Sequence, residues 1–356
     1  MRIVFVVTKV GRGGAQRVST VLAGYLKELG HEVSILCYEP NGSYPVRDGI
    51  RIEQLPNSKY VLIKHIRRIR AFFSFCRNNQ IDLIIALFRG YDYTWLYRRS
   101  ARVKLILSQR NDPKAEYNGH PIPWLESRLF FSGADRVVFQ TEEEMEYFGP
   151  RIRGKGEVIA NPIMEELPEP WEGPRKKEIV NFCRLSPQKN LKLLIDAFKE
   201  VSALEPEYCL KIYGNGGQKE ELTEYIRIKG LKGRVEILPF SASIHRKIRE
   251  AAMFVSSSDF EGISNSMLEA MALGLPCICT DCPAGGARMI IRNGENGILT
   301  PVGQTEPLKE AMLSLIRNPD LANRLGMEAR KVRETYSSGR ICRQWYEMIQ
   351  RVVKGT

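Results

Sequence analysis

The chain has 356 residues, 43% of them hydrophobic and 26% charged, with eight cysteines and a formal net charge of +12. This length suits two or three domains, no apolar run is long enough to span a bilayer, and there is no internal repeat or low-complexity segment. The charge is uneven: residues 1–104 hold 18 Lys and Arg against 7 Asp and Glu, an excess of 11, while the remainder holds 35 against 34. Such a surface attracts polyanions, whether anionic lipid, a phosphate-bearing substrate or nucleic acid.

Residues 3–7 are a continuous apolar run, as expected of a parallel strand covered on both faces. The opening residues are too short for a signal-peptide core and lack a cleavage site. Gly11-Arg-Gly13-Gly14 reads as a tight loop, 15–29 as a helix stopped by Gly30, 32–38 as a second strand and 50–55 as a third. A helix over 61–77 and a strand over 81–87 follow, then short strands over 103–108, 136–140 and 157–159. Thr141 heads a helix, with Glu144 at the third position of a capping box. Residues 164–177, with Pro168, Pro170, Gly173 and Pro174 among charges, read as a linker. A second alternating series then runs through strands 178–183, 208–213, 235–238 and 253–256 and helices 191–204, 218–229 and 244–250. After 277–280 and 297–300, helices over 304–317, 319–335 and 339–353 close the sequence. Alternation of this kind predicts an α/β protein with two doubly wound parallel sheets, over residues 1–165 and 166–338. Cys279 and Cys282 form a lone C-x-x-C without a second pair or a nearby His, which reads as thiols of a reducing cytosol.

The densest signal lies in residues 256–297. A strand ends at Ser256, the chain turns through Asp259, Glu261 and Gly262, a helix starts near Ser264, and Pro276 stops it. Ser264, Asn265 and Ser266 supply hydroxyl and amide groups where free backbone N–H groups collect, a ready site for phosphate. Glu261 and Glu269 are suited to accept hydrogen bonds from sugar hydroxyls. A plain capped helix with surface glutamates is the alternative, but it does not need Gly262, Gly274 and Pro276 at their places. The string Glu261-Gly262-x-x-Asn265-x-x-x-Glu269-Ala270-Met271-Ala272-x-Gly274-x-Pro276 resembles the E-x7-E signature of retaining glycosyltransferases of the GT-B fold. In particular it resembles glycosyltransferase family 4 (group 1), of the bacterial surface-polysaccharide type.

The resemblance implies roles for individual residues. Arg184 and Lys189 match the Arg and Lys of the family's G-R-L-x-x-x-K, which bind the donor diphosphate, with Cys183 in place of the usual Gly. Two cations suit a leaving diphosphate because charge builds there as the glycosidic bond breaks, although by themselves they also read as solvated loop residues. Glu261, Arg184 and Lys189 are thus the catalytic candidates. Glu269 is the expected partner of the nucleotide ribose. Ser264, Asn265 and Ser266, with Gly13 and Gly14 of the first loop, are the other donor-side candidates. Gly13-Gly14-Ala15-Gln16-Arg17 is similar to the family's loop over the donor phosphates and acceptor; Gln16 stands where a dinucleotide fingerprint requires its third glycine. Arg110-Asn111-Asp112-Pro113 resembles a segment of members that act on bacterial surface-polymer precursors. Arg17, Arg110, Asn111 and Asp112 are therefore acceptor-side candidates, with loop capping as the alternative. Other members carry a His there, near the reacting sugar. None of the four histidines here, at 31, 65, 120 and 245, falls in a recognisable catalytic motif. Asn161-Pro162-Ile163 resembles the family's hinge-adjacent segment.

The helix over 61–77 has an apolar stripe at 62, 66, 69, 73 and 76, and Lys64, Arg67, Arg68, Arg70 and Arg77 on its other faces. It reads as a helix packed on the sheet, or as one docked on an anionic bilayer.

Together these features predict two Rossmann-like domains facing a cleft (GT-B), the last helix, 339–353, packing back onto the first. The expected activity is hexosyl transfer, with retention, from a nucleotide-diphosphate sugar, UDP-linked, to a glycan or polyprenyl-diphosphate-linked acceptor, in surface-polysaccharide or glycolipid synthesis. No metal and no cofactor are expected. The expected location is cytoplasmic, peripheral on the inner face of the cell membrane, with no nucleic-acid partner. A nucleotide-sugar epimerase of GT-B fold and a basic nucleic-acid-binding protein are the rivals. The first differs in needing no acceptor, the second in its steep salt dependence.

Overall fold

The computed structural model describes residues 1–8, 10, 14–39, 47–87 and 90–355, and of Gly14 and Ala15 only the backbone. The chain divides into a first unit, Met1–Pro162 with Ser338–Thr356, and a second, Ile163–Ser337.

The first unit holds β1 (Arg2–Val7), β2 (Glu32–Cys37), β3 (Arg51–Gln54), β4 (Leu83–Leu87), β5 (Lys104–Ser108), β6 (Arg136–Phe139) and β7 (Gly156–Val158), in the order β3-β2-β1-β4-β5-β6-β7. Every pairing is parallel. The residues Ile3 to Val7 and Leu83 to Leu87 are all buried, which is why these stretches read as unbroken apolar runs rather than alternating ones. The second unit repeats the plan with β8 (Lys176–Phe182), β9 (Cys209–Tyr213), β10 (Val235–Leu238), β11 (Ala251–Ser256), β12 (Cys277–Thr280) and β13 (Ile298–Thr300), ordered β10-β9-β8-β11-β12-β13 and again all parallel. In each sheet the chain runs outward on one side of the first strand and then crosses back to the other side. That reversal leaves a crevice at the carboxyl ends of β1 and β4, and another at those of β8 and β11.

The last helix, Ser338–Lys354, belongs to the first unit. Ile341, Cys342, Trp345, Met348, Ile349 and Val352 are buried along one face at helical spacing, and this face meets the helix Gly14–Glu28. Tyr346 lies 5.7 Å from the His31 ring, and Arg351 Nη2 donates to Glu157 Oε1 at 2.6 Å.

Several elements depart from the sequence reading. Residues 164–177 are not a free linker: they belong to the second unit, and the last two already form part of β8. Arg333 donates to the carbonyls of Leu167 and Pro168, and Arg175 to that of Gly274 at 2.6 Å. The expected helix over 319–335 is two, Pro319–Ala329 and Val332–Thr335. Helices Tyr91–Ser100, Pro113–Tyr117, Pro121–Gly133, Pro150–Arg153 and Gly286–Ile290 have no counterpart in the sequence reading. Three of them begin with proline, which at a first helical turn costs no hydrogen bond but in sequence looks like a turn. Thr141 caps its helix as expected, accepting from Glu144 N–H at 3.1 Å; the Glu144 carboxylate accepts from Gln140 N–H at 2.8 Å, one residue before the cap.

Trp345 is fully buried, so Trp345→Ala is expected to destabilise the first unit by about 3–5 kcal/mol. Urea unfolding followed by hydrogen exchange should show the first unit melting early while the second keeps its protection.

Candidate active site

The second unit's crevice is built from three segments. The first is the turn after β8, Cys183 to Asn190, which includes a short 3-10 helix at Pro187–Lys189. It is held by the glycine loop after β9: Leu185 N–H donates to Asn215 O at 3.0 Å. A Cβ on Gly216 would stand 2.1 Å from Leu185 O, so only glycine permits this approach. The second segment is the turn after β11, Ser257 to Gly262. The third is the helix Asn265–Ala272.

The first two segments are stitched together across the switch point. Asp259 N–H donates to Gln188 O at 2.9 Å. Gln188 Nε2 donates to Phe260 O at 2.9 Å and to Glu261 Oε2 at 3.1 Å. Asn190 Nδ2 donates to Asp259 Oδ1 at 2.7 Å, and Ser257 Oγ to the carbonyls of Lys189 and Asn190, both at 3.0 Å. Asn190 has φ +41°, in the left-handed region that Asn tolerates better than most residues, and its side chain also caps the helix Leu191–Leu204.

Lys189 Nζ and Glu261 Oε2 form an ion pair inside this weave, with side chains 13% and 20% exposed. Burial works against the Lys189 ammonium, but the facing Glu261 carboxylate outweighs it, and the pKa lies above the usual lysine value. Lys189 therefore stays charged through neutral pH. An ammonium has three donors, so one carboxylate does not exhaust it. Arg184 is exposed beside the pair. A pocket lined by Ser256, Ser258, Glu261, Gly262, Ser264 and Thr280 lies between the Glu261 turn and the helix start.

Ser264 is the N-cap of that helix, with Oγ 3.4 Å from Met267 N, and Asn265 and Ser266 follow in its half-exposed first turn. The other end closes as a Schellman motif: Gly274, at φ +71°, donates to Met271 O at 2.9 Å and Leu275 to Ala270 O at 3.1 Å. This explains the glycine and proline of the sequence string. Glu269 is only 2% exposed, and its Oε2 lies 2.6 Å from His245 Nε2. His245 is a site residue the sequence reading missed. It sits 24 positions before Glu269, on the separate helix Ile244–Ile248, and no local pattern connects the two.

The structure thus brings Arg184, Lys189, Glu261, Ser264, Asn265, Ser266 and Glu269 to one end of one sheet. The first-unit candidates behave differently. Gly13 lies outside the described residues. Gly14 begins the helix Gly14–Glu28, and Arg17 is half-buried on it. Asp112 is committed as a helix cap, accepting from Lys114 N–H at 3.0 Å and Ala115 N–H at 3.3 Å. The Asn111 carbonyl accepts from Gln109 Nε2 at 2.9 Å. Arg110 Nη1 donates to Asn161 Oδ1 at 3.0 Å, and its guanidinium lies 5.4 Å from the centre of the Trp345 ring. Burial pulls Arg110 down to about 10 against the attraction of Glu144. Arg110 therefore joins β5, Asn161 and the last helix within the first unit. Cys279 and Cys282 are buried and burial pushes both thiols up, Cys282 to about 12, so neither is a nucleophile at neutral pH.

The arrangement has counterparts in known proteins. A family model described as Glycosyl transferases group 1 matches residues 164–332, and one described as Glycosyltransferase Family 4 matches residues 12–167. An uncharacterized glycosyltransferase of Haemophilus influenzae is 23% identical over 351 residues, covering 97% of this chain and 98% of that protein. A Campylobacter jejuni enzyme, named for transferring N-acetylgalactosamine to a diacetylbacillosaminyl-diphospho-undecaprenol carrier that already bears N-acetylgalactosamine, is 24% identical over 94% of this chain and 95% of its own. Among solved structures, Anabaena HepE in complex with UDP and glucose superposes with a TM-score of 0.84 at 19% identity, over 98% of this chain and 99% of that one.

The Lys189–Glu261 pair is expected to couple the two turns. In a double-mutant cycle of Lys189→Met and Glu261→Gln, urea denaturation should give a coupling of about 1–2 kcal/mol; additive effects would mean that the pair contributes nothing to stability.

Proposed function

The chain belongs to the group 1 glycosyltransferases of family 4, with the GT-B fold, and from that membership we propose that it moves a sugar from a UDP-linked donor to a polyprenyl-diphosphate-linked or glycan acceptor. The transfer retains configuration and needs no metal. The supporting observation is the convergence at the β8–β11 switch point of an exposed Arg184, the charged Lys189 and a helix N-terminus capped by Ser264. Arg184 and the helix N-terminus supply positive potential where a diphosphate would lie, and Lys189, though its charge is balanced by Glu261, supplies ammonium donors there. The HepE structure contains UDP and glucose, and the Campylobacter relative is named for a diphospho-undecaprenol acceptor.

In this reading Arg184 and Lys189 neutralise the charge that builds on the β-phosphate as its bond to the anomeric carbon breaks. Glu261 holds Lys189 in place and accepts from donor-sugar hydroxyls. Glu269 accepts from the ribose. The acceptor oxygen bonds to the anomeric carbon on the face the phosphate leaves, and its proton passes to the departing phosphate oxygen. Trapping of a covalent glycosyl adduct on Glu261 would overturn this route. Calorimetry with UDP, GDP, ADP and NAD should show selective UDP binding that Glu269→Ala abolishes. Glu269→Ala and Lys189→Ala should each slow transfer by at least ~100-fold, and near-normal turnover would remove that residue from the site.

A second element of the proposal is docking on an anionic membrane surface through the first unit. Of the expected apolar stripe at 62, 66, 69, 73 and 76 on the helix Val61–Asn78 only Cys76 is buried, and the helix's other buried residues, Phe72 and Phe75, lie off that stripe. Val61, Leu62, Ile63 and Ile66 stand exposed beside Lys64, Arg67 and Arg70. Ile122, Trp124 and Leu125 are exposed on the helix Pro121–Gly133, and both helices touch Tyr91–Ser100 between them. Among the described residues no helix is long and apolar enough to cross a membrane. In co-sedimentation with phosphatidylglycerol vesicles, Leu62→Asp with Ile66→Asp should lower binding by about tenfold; equal binding by the variant would refute the docking face.

A further inference from the structure

The His245–Glu269 contact joins two side chains that are 9% and 3% exposed. A carboxylate so deeply buried needs a donor, and His245 Nε2, 2.6 Å from Glu269 Oε2, is one in the tautomer that carries its hydrogen there. The imidazole is itself held. Phe182, the last residue of β8, meets it edge-on, with ring centres 6.1 Å apart and planes at 89°. Phe182 in turn packs against Phe254 of β11 at 5.4 Å. The two strands that flank the crevice, and that position Arg184, Lys189 and Glu261, therefore also fix the ring that holds Glu269.

We propose that His245 is a positioning residue for nucleotide recognition: its Nε2–H holds Glu269 Oε2, so that the carboxylate keeps the plane and rotamer in which it accepts from the ribose hydroxyls. The proposal rests on the reading of Glu269 as the ribose partner. It makes a histidine outside every motif the determinant of ribose selectivity. Without the donor at position 245, Oε2 is no longer fixed in that plane, and the carboxylate is a poorer acceptor for two hydroxyls. The diphosphate side of the site, at Arg184 and Lys189, does not pass through His245.

The test is calorimetric binding of UDP and of 2′,3′-dideoxyuridine diphosphate to wild type, His245→Phe, His245→Gln and Glu269→Ala. Phenylalanine keeps the ring packed on Phe182 and removes the donor; glutamine restores an N–H. His245→Phe should weaken UDP about tenfold or more and the dideoxy analogue less than twofold. His245→Gln should recover UDP affinity to within about threefold of wild type. Equal weakening of both nucleotides, or no weakening, would make His245 merely structural and overturn the proposal. So would loss of folding in His245→Phe and in a second variant, His245→Ala. If wild type does not bind UDP, or if Glu269→Ala binds it normally, the reading of Glu269 fails first. If Glu269→Ala loses UDP while His245→Phe keeps it, only the positioning role fails.

Discussion

A parallel sheet covered on both faces gathers all its strand-to-helix turns at one rim, and only where the strand order reverses do two of those turns part to leave a crevice. In the second unit that place is the junction of β8 and β11. Lys189 and Glu261, 72 residues apart in sequence, meet there because β8 and β11 lie side by side in the sheet. The surrounding architecture serves this meeting. Gly216 lets the β9 loop press against Leu185, Asn190 turns the chain into the next helix, and Asn190, Gln188 and Ser257 bind one turn to the other. A Cβ on Gly286 would stand 1.9 Å from Gly262 O, so the loop after β12 closes tightly on the same turn from the far side.

The electrostatics follow from that geometry. A lysine in a sheltered crevice is held in its charged form by the carboxylate opposite it, and the carboxylate is satisfied in turn by the lysine and Gln188. When an anionic group arrives, the lysine does not have to be charged or desolvated afresh. A cation fixed in advance is what preorganised stabilisation of a developing charge requires. Arg184, exposed on the same turn, adds a second positive charge.

Much of this was legible in sequence because it is local. Strand runs, the Ser264 cap and the Gly274 and Pro276 stop are short-range chemistry, and the E-x7-E string compresses a whole turn–helix–turn unit. The proline-initiated helices were illegible because Pro113, Pro121 and Pro150 look the same whether they open a helix or a loop. Arg110 and Asp112 were placed at the right strand end, but the sequence does not tell which polar side chains are consumed by their own scaffold: Asp112 caps a helix, and Arg110 lies against Trp345, 235 positions further on. His245 illustrates the same limit. Its bond to Glu269 forms because the fold sets the helix Ile244–Ile248, with the His245 ring edge-on to Phe182, beside the helix that carries Glu269, and no spacing encodes it.

The first unit is discontinuous, its final helix supplied after the whole of the second unit has been made. On the ribosome this reverses the usual order of completion. The amino-terminal sheet emerges first, but the faces that meet Trp345, Met348 and Ile349 stay open until those residues leave the exit tunnel. By then the uninterrupted second unit, Ile163–Ser337, has all its strands. During synthesis the nascent chain therefore passes through a stage with a finished carboxyl-terminal lobe and an unsealed amino-terminal one, and the apolar seam left open lies on the part of the chain translated earliest.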